Sequence, residues 1–172
     1  MSFGNLAEQR DLQPLFGKLT PERNERLLDR LLTVDARLSR LAERATHHVG
    51  IPYRALGLEH VVRLDGSSAG IHGGPSGEAG DIWFDISPIE ERTAGAIASR
   101  WVVVSRIVVF CCDSPEPRGV ANTHDLVFLE GIGDSPEAVL EILESQTSII
   151  ERELEHHSRA RYTQARHDEL PP

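Results

Sequence analysis

Three patterns of apolar residues run along the chain: helical stripes toward both ends, alternation in the middle, and one nearly continuous run. That run is Arg100–Cys112, RWVVVSRIVVFCC. Its β-branched and aromatic residues suit a pleated, packed surface. Alternation puts Trp101, Val103, Ser105, Ile107, Val109 and Cys111 on one face, and Val102, Val104, Arg106, Val108, Phe110 and Cys112 on the other. With both faces this apolar, the run reads as a central strand covered on both sides. It is too short for a membrane span, which takes about 20 apolar residues, and Arg106 interrupts it. Ser105–Arg106 reads as a bulge or as an arginine reaching the sheet rim, or else as an arginine aimed at an anionic ligand or partner.

The first helical stripe is Leu27, Leu31, Val34, Leu38, Leu41 and Ala45, with heptad-like spacing. It predicts a helix from about Pro21 to Val49. Thr20 caps its start, Pro21 takes the first helical position, and Gly50 with Pro52 stops it. Arg23, Arg26, Arg30, Arg37, Arg40 and Arg44 lie one residue ahead of the stripe, so an arginine row edges the leucine seam. The second stripe, Val139, Ile142, Leu143, Ile149, Ile150 and Leu154, predicts a helix from Asp134–Glu137 to about Tyr162. Its edge carries Glu137, Glu141, Glu144, Glu151 and Glu155.

Between these helices, residues 57–64 and 81–86 alternate as strands, and Ser87–Glu90 signals a short helix over about 88–98. His124–Glu130 is a strand expected to pair antiparallel with the central one. Residues 65–80 form a glycine-rich loop, and Asp113–Thr123 is a turn-rich connection. The fold class is therefore α+β: a mostly antiparallel sheet of about four strands with long N- and C-terminal helices packed on it. Residues 1–19 read as a flexible lead-in, 20–162 as a single domain and 163–172 as a frayed tail. Within the lead-in, Leu12, Leu15, Phe16 and Leu19 are positioned to dock on the body.

Composition narrows the function. The net charge of −9 argues against nucleic acid, which selects a basic surface, and suits a basic partner. All but one of the 18 basic residues are arginine, which reads as coding bias rather than chemistry. The two cysteines are adjacent, so on a strand they face opposite ways and form no disulfide framework. The first residues lack a basic stretch followed by an apolar one, and no span is visible, so the expectation is a cytoplasmic protein away from the membrane.

Chemical signals are sparse. GIHGGPSG fits neither dinucleotide-binding nor phosphate-loop spacing, and no Lys or Arg lies between Arg63 and Arg92. His72, Asp81, Asp85 and His124 are the polar groups a small ligand or cation would use, yet paired aspartates are also common on an exposed strand face. Cys111 or Cys112 with His60, His124 and Asp125 has the parts of a thiol site, but nothing local joins them. His47–His48 and His156–His157 suit the C-terminal ends of the helix dipoles. No catalytic residue, cofactor or metal is assigned.

The most informative constellation is the charged helix edges. Arg26, Arg30, Leu31, Arg37, Leu38, Arg40, Leu41 and Arg44 complement Glu141, Glu144, Glu151 and Glu155. The two helices pair either within one chain or between the chains of a homodimer. The expected function is a small acidic cytoplasmic protein-binding or regulatory protein, an adaptor of the chaperone or immunity kind, acting on a protein partner. The alternative is a small-ligand binder or enzyme whose pocket is closed by the loop at 65–80.

Overall fold

The computed structural model describes residues 4–48, 59–60, 63–65, 70–76, 80–89, 99–110 and 123–168. In chain order the elements are β1 Gly4–Asn5, α1 Leu6–Gln9, α2 Gln13–Phe16, α3 Pro21–His48, β2 Glu59–His60, β3 Arg63–Asp65, β4 Gly70–Gly73, β5 Pro75–Ser76, β6 Gly80–Pro88, β7 Trp101–Phe110, β8 Thr123–Gly133 and α4 Pro136–Asp168. The α+β class holds, with long helices at both ends packed on the sheet, and every described pairing is antiparallel.

β6 and β7 form the spine, aligned without interruption from Gly80↔Val109 to Pro88↔Trp101. Along the other side of β6 run β4 and then β5, with β3 and β1 beyond β4 and β2 beyond β5. β8 pairs with β7 as the pattern predicts, and among the described residues it is the sheet's far edge. Leu126 is the extra residue of a bulge there, because Ile107 faces Val127 while Val108 faces Asp125.

The helices start where their sequences say. The amide of Arg23 donates to Thr20 Oγ1 at 3.2 Å, and that of Ala138 to Ser135 Oγ at 3.2 Å. Both long helices lie on the same face of the sheet. Leu27, Leu31, Val34 and Leu38 of α3 join Val139, Leu140, Leu143 and Ile150 of α4 in one buried cluster with Ile82, Phe84, Ile86, Val103 and Ile107. α4 comes close to β8 because Gly131 and Gly133 have no side chain beneath it. A Cβ on either would fall 2.7 Å from Ile142 Cγ2 or Val139 Cγ2.

Four expectations are corrected. The lead-in is not loose: Leu12, Leu15, Phe16 and Leu19 dock on the body as the sequence positions them, and Leu6 is buried with them. Trp101 Nε1 donates to the Leu15 carbonyl at 3.0 Å, and Asn24 Oδ1 accepts from the Leu12 amide at 2.8 Å, so buried polar anchors join the apolar contacts. The glycine-rich stretch is not one long loop. It contains β4 and β5, bent at Gly74 (φ +119°), and Ile71 is fully buried opposite Ile86. Among the described residues the central strand is covered mainly on one face. Trp101, Val103, Ser105 and Ile107 are buried beneath the helices, while on the other face Val102, Val104 and Arg106 stay half-exposed and Val108 is buried. α4 runs to Asp168, past the expected end near Tyr162. Most of the expected helix over 88–98, and the connection at 113–122, lie outside the described residues.

Candidate interaction surface on the open face of the sheet

The strand register composes the second face of the sheet. One row runs His72, Asp85, Val104 and Glu130 across β4, β6, β7 and β8. The next runs Trp83, Arg106 and Phe128, and on the opposite side of the first lie Ser87, Val102 and Ile132. Alternation assigns these residues, because every second side chain points away from the helices. The surface is apolar and aromatic with charges set into it. Phe128 and Ile132 are 53% and 54% exposed, and they are the large apolar side chains left open among the described residues.

At the centre, the Arg106 guanidinium lies 4.9 Å from the centroid of the Trp83 ring and 5.7 Å from that of Phe128. Ser105 and Arg106 pair regularly with both neighbouring strands, so the bulge expected as one reading is not at this position, and Arg106 lies on this face between two rings. The cation is attracted to their negative faces while its stem covers apolar surface.

The residues proposed for a ligand or cation come only partly together. His72 Nδ1 and Asp85 Oδ1 are 4.0 Å apart, beyond a hydrogen bond, and the His72 ring lies 5.2 Å from that of Trp83. Asp85 Oδ2 accepts from Ser87 Oγ at 2.8 Å. Asp81 lies further along β6 opposite Val108, and its enclosed Oδ1 has no hydrogen-bond donor among the described residues. His124 stands opposite Val109 at the far end of β8, across the sheet from His72. Among the described residues, no group of three or more His, Cys, Asp or Glu side chains stands close enough to hold a metal ion. Cys111 and Cys112 lie outside the described residues.

The helix-edge charges meet inside the chain. Arg23 pairs with both oxygens of Glu137 (2.6 and 2.5 Å), Arg30 with both of Glu144 (2.8 and 2.9 Å), and Arg37 with both of Glu151 (3.0 and 2.8 Å). Both partners advance by seven residues in the same direction, so α3 and α4 are parallel. The Arg23 guanidinium pulls the Glu137 carboxyl from 4.5 down to about 2, and Arg30 lowers Glu144, chiefly through these hydrogen bonds. Glu137 and Arg23 belong to the ladder as fully as the interior pairs, although they lie at its start.

Of the two pairings the sequence allows for these helices, within one chain or between two, the structure shows the one within the chain. Leu31, Leu38 and Leu41 are buried at 1%, 1% and 7% exposure inside the chain and are not offered to a second copy. Arg26, Arg40, Glu141 and Glu155 are exposed outside the ladder, and the Arg44 side chain lies outside the described residues. No helix among the described residues is long and apolar enough to cross a membrane. Comparisons with family models, curated proteins and solved structures return no significant match.

Proposed function

We propose that this is a small acidic cytoplasmic protein-binding or regulatory protein, an adaptor that docks a protein partner on the open face of its sheet. The observation that carries the reading is the exposure of Phe128 and Ile132 by more than half, beside half-buried Val102, Val104 and Trp83. Apolar side chains gathered on one face of a folded domain mark an interaction site. The charge set among them gives a partner orientation and specificity. The negative net charge favours a partner that is basic where it touches. The adjacent cysteines, with no disulfide framework, support the cytoplasmic assignment.

The test is reciprocal. Proteins captured on the wild-type chain are identified, purified and titrated back against wild type and a Phe128→Ser/Ile132→Ser variant. The reading requires an identified protein that binds the wild type and loses at least about tenfold in affinity with the variant. Equal binding to both forms overturns it.

A further inference from the structure

Resting on the reading that the open face binds a protein, we propose that its partner is an extended segment that adds to the outer edge of β8, unpaired among the described residues. Such a segment carries an apolar residue, a basic residue two positions on, and an apolar residue two positions further. Three observations lead there. First, β8 pairs only with β7 among the described residues, and from Val127 to Gly133 its pairing is regular. A regular edge presents a row of unused backbone donors and acceptors to an incoming strand.

Second, the large apolar side chains exposed among the described residues, Phe128 and Ile132, both belong to this edge strand. They alternate with exposed Glu130 on the open face, so the strand displays apolar, acidic, apolar at every second position. Side chains directly opposite across a strand pair lie close together. The complement of this row is apolar, basic, apolar, at the same spacing.

Third, the same row disfavours a second copy. An antiparallel pairing of two β8 strands that sets Phe128 against Ile132 necessarily sets Glu130 against Glu130, because Glu130 lies midway between them. Like charges directly opposite are destabilising. Two chains of net charge −9 also repel at longer range. Shifting the register so that Phe128 meets Phe128 moves Ile132 opposite His124 and loses one apolar pair. A basic residue at the middle of a different strand removes the conflict and adds an attraction.

The experiment is a fluorescence anisotropy titration of the full chain with labelled synthetic peptides. The first is a short peptide with threonines between two valines and a central lysine. Its comparators are a scrambled order, a glutamate in place of the lysine, alternate backbone N-methylation along one edge, and a helix-forming amphipathic peptide of equal charge. The proposal expects the first peptide to bind at least about tenfold more tightly than the scrambled, glutamate and N-methylated forms. It expects Glu130→Lys to reverse the preference toward the glutamate peptide. Phe128→Ser/Ile132→Ser, whose fold is checked by circular dichroism, should abolish binding. Equal binding of the scrambled or N-methylated peptide overturns the proposal. Binding of the helical peptide alone also overturns it, while leaving the wider docking reading intact. A wild-type dimer in solution that dissociates with Phe128→Ser/Ile132→Ser identifies the occupant as a second copy and overturns it too. If no peptide binds, strand addition falls, and the reciprocal capture then decides the wider reading separately.

Discussion

Single residues on the two faces of β8 carry opposite demands. Gly131 and Gly133 lie under α4, where a methyl group would meet Ile142 or Val139 at 2.7 Å. Gly131→Ala should cost about 1–3 kcal/mol, as overpacking does, read as a lower urea midpoint with an unchanged slope. Ile132, between them in sequence, points to the open face. Ile132→Ser should change stability by less than about 1 kcal/mol in the same assay, because little burial is lost. Trp101 shows how one indole anchors a distant segment. Its Nε1–H bond to the Leu15 carbonyl and its edge-on contact with Phe16, at 5.2 Å between ring centroids, fix the N-terminal residues. Trp101→Phe leaves that carbonyl unpaired and should cost about 1–3 kcal/mol. Hydrogen exchange at residues 12–19 should rise more than exchange in α4.

At the scale of the element, the α3–α4 ladder sets direction and register more than it supplies energy. Each half-buried, solvent-screened pair contributes about 0–1 kcal/mol, while the apolar seam supplies most of the stabilisation. A double-mutant cycle on Arg30→Ala and Glu144→Ala should return a coupling of about 0.2–1 kcal/mol that shrinks with added salt. The acid response follows from the carboxylates. Glu137 titrates near 2 in the folded chain against 4.5 unfolded, and Glu144 is lowered in the same sense. Folded pKa values below the unfolded ones give stability that is complete above about pH 4.5 and lost as the pH falls toward about 2. The urea midpoint should fall across that window, and Arg23→Ala should remove part of the fall. The arginines are raised above an already high value and titrate outside that window.

At the scale of the molecule, both long helices occupy one face of the sheet, and among the described residues no helix covers the other. This arrangement separates the residues that carry stability from those of the proposed docking face. Leu31→Asp or Leu38→Asp should unfold the chain, seen as loss of the cooperative thermal transition, because each places a charge in the buried cluster. It should not yield a folded monomer from a dimer. Polar substitutions at Phe128 and Ile132 should instead leave the fold intact, and the proposed docking role requires that they weaken partner binding.

Much of this fold is legible in the pattern. Heptad spacing marks α3, the cap residues Thr20 and Ser135 mark the helix starts, and alternation separates Ile82, Phe84 and Ile86 from Trp83 and Asp85. Other features are not legible locally. Ile71 sits among glycines, so its strand shows only when Ile86 is set beside it. Valine suits a pleated surface whether or not a helix covers it, so Val102 and Val104 do not reveal that their face is open. The Arg and Glu rows show that α3 and α4 match, because complementary charges edge two apolar stripes. They do not show a parallel or an intrachain pairing, since spacing is the same in either direction and in either chain. Propensity and periodicity are properties of neighbouring residues, and they determine the helices, the strands and the inward side of each. Which face the helices cover, and which strand is left at the edge, depends on contacts between residues far apart in the chain, and only the tertiary structure decides them.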